Sequence, residues 1–356
     1  MVRGQCKGHR PHRRGYTGGM TEIAPFQSFD AEGGLVFATR LPGRAADFEA
    51  PTRLGWNRLG EPGDGALWVH LDRTRERAQR WLREQAGVER LVAESLLAEE
   101  TRPRAQVFGD GLLVILRGIN MNPGAEPDEM ISIRMWIEPG RVITLRQFKF
   151  KTIAALREQA QQGRAPATPG AFLAAVAGGL SERMGPTITN LEEMLDTIED
   201  EMLAKDADDE GRRPQLATIR RQAIAYRRYL VPQREALSAL ANGRSELLSE
   251  HDRAEIRVAQ EQTARVCDAL EEIRDRAAVT QEEMRARHEA RVGRTVYLLT
   301  IVATVMLPLG FVTGLFGINV GGLPLTESRW GFWVLCLAMA AIAIGQVVWF
   351  KRKRWL

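Results

Sequence analysis

Two uncharged stretches near the C-terminus constrain this chain more than any other feature. Residues 296–316 and 331–350 contain no Asp, Glu, Lys or Arg. Each runs for about 20 residues, enough as a helix to cross the ~30 Å hydrocarbon core of a bilayer. Backbone groups in hydrocarbon must bond to one another, so both stretches are read as membrane-spanning helices. Arg291 and Arg294 precede the first, and Lys351, Arg352, Lys353 and Arg354 follow the second. Positive charge on these flanks puts both termini in the cytoplasm and the loop 317–329 outside, as expected of a bacterial-type inner-membrane protein. Trp330, Trp333 and Trp349 mark the interfaces of the second span.

The rest of the chain reads as soluble, since 26% of the 356 residues are charged. The 49 basic and 45 acidic residues are interleaved, which argues against nucleic acid as a partner. Cys6, Cys267 and Cys336 lie far apart, so neither a disulfide framework nor a zinc ribbon is indicated. Residues 1–22 form a basic tail, expected to be disordered, with Met20 as an alternative start. His9 and His12 within it could touch metal.

Residues 23–168 read as an α/β domain of mixed sheet. The runs 66–71 (ALWVHL), 112–119 (LLVILRGI), 131–137 (ISIRMWI) and 142–145 (VITL) are rich in β-branched and aromatic residues. Asp110-Gly111 and Pro139-Gly140 fall between such runs and predict hairpins. Residues 75–85 and 89–98 read as helices.

From Pro169 onward the period becomes helical. Ile188, Leu191, Leu195, Ile198 and Met202 step by three and four, as do Leu216, Ile219, Ala223, Tyr226 and Leu230. The segment 169–248 is therefore a helical hairpin that turns in the charged stretch 205–213. Ile256, Ala259, Thr263, Val266, Leu270, Ile273, Ala277, Thr280 and Met284 make a coiled-coil seam. Ser249 is the predicted N-cap of a stalk helix that continues into the first span over 249–316, followed by the second span, 330–350, and the tail 351–356. A helix of that length would reach ~100 Å.

The two spans differ. The second holds one strongly polar side chain, Gln346. The first, with its approach, carries a small or polar stripe: Glu282, Ala286, Glu289, Gly293, Val296, Thr300, Ala303, Leu307, Gly310, Gly314 and Gly317. Such a stripe serves either helix packing or the lining of a pore. Two helices cannot enclose a water-filled path, so a pore needs several copies around an axis.

The first span ends in Gly314-Leu315-Phe316-Gly317-Ile318-Asn319, followed by Val320-Gly321-Gly322-Leu323-Pro324. A Gly-x-Asn motif between two terminal spans resembles the signature of the CorA-type family of two-span metal transporters. Thr101-Arg102-Pro103-Arg104 and the stretch Arg117-Gly118-Ile119-Asn120-Met121-Asn122-Pro123 are similar to the ZntB-like zinc branch. The resemblance implies a homopentamer with a cytoplasmic funnel, the first span lining the pore and the second forming an outer ring. It also implies Zn2+ as cargo, with Mg2+, Co2+ and Ni2+ as alternatives, protons as a candidate coupling ion, and no tightly bound cofactor. Ile318 stands where most of the family has Met, which fits the zinc branch.

Five copies of Asn319 would offer neutral carbonyl oxygens to the water shell of a dication without holding it tightly. Asn319 could equally cap the helix C-terminus. Glu327 in the loop and Glu282 below the span are candidate cation attractors. His70, His251 and His288 are isolated, so no tetrahedral zinc site is visible. His70 and Asp72 would share a strand face, yet Asp72 also reads as the start of the following helix. The cluster Glu199, Asp200, Glu201, Asp206, Asp208, Asp209 and Glu210 could concentrate cations or simply solvate a hairpin tip. No phosphate-binding loop occurs, so transport powered by this chain's own ATP hydrolysis is not expected; the chain is read as a transporter, not an enzyme. A non-conducting membrane-anchored scaffold or sensor is the competing reading.

Overall fold

The computed structural model describes residues 33–43, 56, 59, 63–126, 128–203, 209–317 and 329–353. The chain forms two compact units, Met1–Arg183 with Tyr229–Thr263, and Met184–Arg228 with Ala264–Leu356. The tail 1–22 and the loop residues 318–328 lie outside the described residues.

In the first unit six strands make one mixed sheet: β1 (Leu35–Arg40), β2 (Leu67–Asp72), β3 (Arg104–Phe108), β4 (Gly111–Ile119), β5 (Met130–Glu138) and β6 (Arg141–Arg146). Their order is β1-β2-β6-β5-β4-β3. The β2–β6 pair is parallel and the other pairs are antiparallel. Pro139 and Gly140 close the β5–β6 hairpin, with Gly140 at φ +80, as a Pro-Gly turn requires. The other hairpin turns at Gly109 and Asp110 instead of Asp110 and Gly111. Gly109 takes the positive φ of +54. Gly111 begins β4 and leaves room for the Trp136 ring, which an added Cβ would meet at 2.3 Å.

Both faces of the sheet are covered. Leu67, Val69, Leu71, Leu113, Ile115, Ile143 and Leu145 pack with Trp81 and Leu82 of α1 (Glu76–Glu84) and with Val92 and Leu96 of α2 (Arg90–Leu97). On the opposite face Trp68 meets Phe172 with ring centroids 4.7 Å apart. Gly118 admits Phe150 and Leu180, at the start of α3 (Lys151–Gln161) and within α4 (Pro169–Met202). Fully burying a Leu or Phe side chain is worth about 1.5–3 kcal/mol, so both covered faces of the sheet stabilise the unit.

Three more helices follow: α5 (Asp209–Asn242), α6 (Glu250–Gly317) and α7 (Gly331–Arg352). Ser249 starts α6 as its sequence position predicts. Its Oγ accepts from the Asp252 N–H at 3.1 Å, and its own N–H donates to Asp252 Oδ2 at 2.9 Å. This reciprocal pair satisfies two otherwise orphaned donors.

In the second unit α4, α5 and α6 pack side by side. Arg227 of α5 pairs with Glu271 of α6 at 2.9 Å, and Arg287 donates to the Met202 carbonyl at 2.6 Å. The α4 and α5 residues expected in the seam are buried. On α6 one position differs: Cys267 is buried at 3% exposure in place of Val266, which is half-buried. The step from Thr263 is four residues there and then three to Leu270, which restores the same phase.

Candidate functional site

The helix α6 carries the expected stripe unbroken, from Glu282 through Gly293, Val296, Thr300, Ala303, Leu307, Gly310 and Gly314 to Gly317. A strict three-four alternation drifts by about 20° per heptad on a straight helix, so the stripe winds slowly. Val296 is 55% exposed and Leu307 73% exposed. A Cβ added at Gly293, Gly310, Gly314 or Gly317 would meet nothing within 4 Å among the described residues. Glycine inside a helix costs about 1 kcal/mol relative to alanine, and no packing among the described residues accounts for these four. One chain does not bring the stripe together around a path; it lies along one helix.

The threonines of α6 bond inward. Thr300 donates its hydroxyl proton to the Val296 carbonyl at 2.8 Å, Thr304 to the Thr300 carbonyl at 2.7 Å, and Thr313 to the Leu309 and Gly310 carbonyls at 3.0 Å. No hydroxyl proton is left unmatched in an apolar medium, and each oxygen keeps lone pairs facing outward. Pro308 lies inside the helix and has no N–H to give the Thr304 carbonyl four residues earlier. Thr304 thus joins a spent hydroxyl to a carbonyl lacking its helical donor. Thr304 lies off the stripe, which steps from Thr300 to Ala303, and Pro308, four residues on, is the sequence signal that marks it.

Below the span Glu282 is exposed, and Arg285 pairs with Glu289 at 3.0 Å. Glu289, then Glu282, raises the Arg285 pKa above its usual value. Ile318, Asn319 and Glu327 lie outside the described residues, as do Asp206 and Asp208. The acidic cluster is partly committed elsewhere. Arg276 pairs with Asp196 at 2.5 Å and with Glu199, and Glu201 pairs with Arg212 at 2.7 Å.

His70 is fully buried on β2, its Nδ1 2.7 Å from Thr144 Oγ1. Burial lowers its pKa well below the usual value, and Arg146 and Arg157 add to the shift. Asp72 accepts from the Thr74 N–H at 3.0 Å and the Thr74 hydroxyl at 2.6 Å, forming a turn ahead of α1 instead of capping it directly. No group of three or more metal-ligating side chains occurs among the described residues.

A doubly covered mixed sheet, a three-helix seam and two C-terminal helices long and apolar enough to cross a membrane define a two-span membrane protein with a large domain outside the bilayer. The chain belongs to the CorA-like Mg2+ transporter protein family, whose profile matches residues 63–352. It is 38% identical over 329 residues to the divalent cation transporter CmaX of Pseudomonas aeruginosa, covering 91% of this chain and 98% of that one. It is 32% identical over 289 residues to the zinc transport protein ZntB of Pectobacterium carotovorum subsp. carotovorum, covering 81% and 88%. The structure of the full-length CmaX protein superposes with a TM-score of 0.78 at 38% identity, over 91% of this chain and 99% of that one. The CorA magnesium transporter from Methanocaldococcus jannaschii shares the fold at 19% identity, with a TM-score of 0.70 over 84% and 95%. Family members are transporters, so the chain acts in transport and not in catalysis.

Proposed function

We propose that the chain is one subunit of a homopentameric inner-membrane pore that moves divalent metal cations, with Zn2+ ahead of Mg2+, Co2+ and Ni2+. The observation that carries this is the stripe on α6. Its glycines meet no packing partner among the described residues, and its side chains are exposed through a segment apolar enough to span a bilayer. Several copies with these faces turned inward account for both facts. Zinc is placed first because the relatives at 30–32% identity are named zinc transport proteins. The wider cation range is supported by the similarity to CmaX, a divalent cation transporter, and to the Mg2+ transporter family.

In this reading both termini are cytoplasmic and α7 forms an outer ring against lipid. A hydrated dication meets the amide oxygens of five Asn319 side chains, which touch its water shell and release it. Beyond them Gly314 and Gly310 let the backbones approach one another. The Leu307 ring is an apolar constriction that stays dry until it widens. Thr304 and Thr300 then return oxygen acceptors to the path. Glu282 and Glu327 raise the dication concentration at the two mouths through fields that salt screens.

Zinc flux into liposomes holding the purified protein tests the reading, with and without an imposed proton gradient. Saturable zinc entry is expected, competed by Co2+ and Ni2+. Entry that rises when protons flow with the metal supports proton coupling. Absence of metal flux under every gradient, from a correctly assembled oligomer, defeats the pore and leaves the scaffold.

A further inference from the structure

Charge on α6 changes character where the first span begins. Below that point acidic and basic residues alternate and pair: Arg276 with Asp196 and Glu199, Arg287 with Glu283 at 2.6 Å, and Arg285 with Glu289 at 3.0 Å. Glu289 is the last carboxylate before Glu327, which lies between the two spans. Arg291 and Arg294 then precede the first span, and Lys351, Arg352, Lys353 and Arg354 follow the second. A chain that crosses a bilayer and returns sets these two flanks on the same side. The membrane edge there carries six basic residues and, beyond Glu289, no acidic one. Arg294, Lys351, Arg352 and Lys353 are exposed, and none of the four has a carboxylate partner among the described residues.

Two general causes fall short. Insertion with positive charge inside explains the sign of these flanks, but the folded protein still needs counter-charge for them. The C-terminus of α7 offers about half a negative charge to Lys351, Arg352 and Lys353, which lie at its end. A second observation concerns the same place. Phe350 is 4% exposed, the one residue of α7 so deeply buried, which holds this end of the helix against the chain. Trp349 beside it is 52% exposed, and Tyr297, near the start of the first span, is 42% exposed. Indole and phenol rings, apolar with one polar atom, favour the boundary between headgroups and acyl chains. The cations just beyond these rings in sequence stand at the depth of lipid phosphate.

We propose that Arg294 of α6 with Lys351, Arg352 and Lys353 of α7 forms a surface that binds the headgroups of anionic phospholipids. Lysine and arginine donate charge-assisted hydrogen bonds to phosphate oxygens, and each basic residue near an anionic surface adds about fivefold to affinity. The surface takes several lipids, so no single phosphate has to touch all four cations. A lipid phosphate, unlike a free one, also brings hydrocarbon to the exposed apolar side chains of α7, Val347, Val348 and Trp349 among them. The site does not depend on which ion the chain carries, or on whether it carries any.

Native mass spectrometry of the purified full chain in mild detergent tests the proposal, with phosphatidylglycerol and phosphatidylcholine of matched acyl chains added at equal mole fraction. Phosphatidylglycerol should be retained about tenfold over phosphatidylcholine. Combining Lys351→Gln, Arg352→Gln and Lys353→Gln should bring the ratio within about twofold of unity. Lys351→Arg with Lys353→Arg, which preserves the charge, should keep the preference. So should Arg80→Gln, Arg83→Gln and Arg90→Gln together, which remove the same charge from exposed positions of the first unit. The proposal is overturned if the two lipids are retained equally or if the preference survives the triple substitution at α7. It is also overturned if the charge-preserving or the first-unit variant loses the preference, or if equimolar inorganic phosphate displaces phosphatidylglycerol, which would identify a free anion as the ligand.

Discussion

One helix, α6, behaves as two. Up to Met284 it buries a residue at every third or fourth position: Ile256, Ala259, Thr263, Cys267, Leu270, Ile273, Ala277, Thr280 and Met284. Beyond Met284 it buries none, although Val296, Leu299, Met306, Leu307 and Phe311 are all apolar and at least 55% exposed. The backbone is regular helix throughout, so conformation does not distinguish the halves. Their partners do. The first half finds its apolar partners within the chain, whereas the second presents apolar surface to something outside it, lipid or further copies. Exposed leucine on a soluble helix would be a liability. Here it specifies a solvent and a neighbour.

That contrast can be broken or sharpened, beginning at the mouth. Asn319→Ala should lower zinc flux in liposomes by about a hundredfold, as several water-shell contacts of about 1 kcal/mol each disappear. Its oligomer mass should stay the same, since no packing is lost. Unchanged flux would reduce Asn319 to a helix cap. Next, Gly310→Trp on α6 should cut flux at least about tenfold by filling a path, while Ile342→Trp on α7 should leave it within about twofold. Equal losses would mean that the two spans are not different in kind.

Ile273→Ala, at a position 1% exposed, should destabilise the helical seam by about 2–5 kcal/mol. Val279→Ala, 69% exposed on the same helix, should stay within about 0.5 kcal/mol in thermal unfolding. A large cost at Val279 would show that this surface is covered in the assembled protein.

The smallest effect concerns His70. Its folded pKa lies well below the usual 6.5, so below pH ~6.5 the unfolded chain binds a proton that the folded chain refuses. Its contribution is therefore full above that value and lost as pH falls, at no more than about 1.4 kcal/mol per pH unit. His70→Phe should flatten the acid limb of stability measured by unfolding at pH 4.5–6.5. An unchanged slope would mean that His70 is protonated in the folded protein.

The helices and the membrane segments were legible because periodicity is a local signal. Leu216, Ile219, Ala223 and Tyr226 announce their face without help from the rest of the chain. Two strands and a helix were not. β3 (Arg104–Phe108) is an edge strand whose residues are only partly buried or exposed, so no apolar alternation marks it. β1 (Leu35–Arg40) is a short apolar run that period alone does not assign. α3 shows Ile153, Leu156 and Ala160 at helical spacing, but the segment is short and has no side-chain cap. The parallel β2–β6 pairing joins residues more than seventy positions apart, beyond any local rule. On α6, Thr300 and Leu307 were legible from spacing, while the part played by Thr304 depends on a hydrogen bond that Pro308 withholds.

The end of β3 has one further consequence. Pro103 precedes the strand and has no N–H to continue the ladder. Past that point the Arg117 N–H of β4 donates to the side-chain oxygen of Gln233 at 2.6 Å. An amide from a helix thus occupies the place that one more strand residue would take. A strand lengthened past Arg104 would have to displace that amide, so β3 stops where it does while its outer side stays the edge of the sheet.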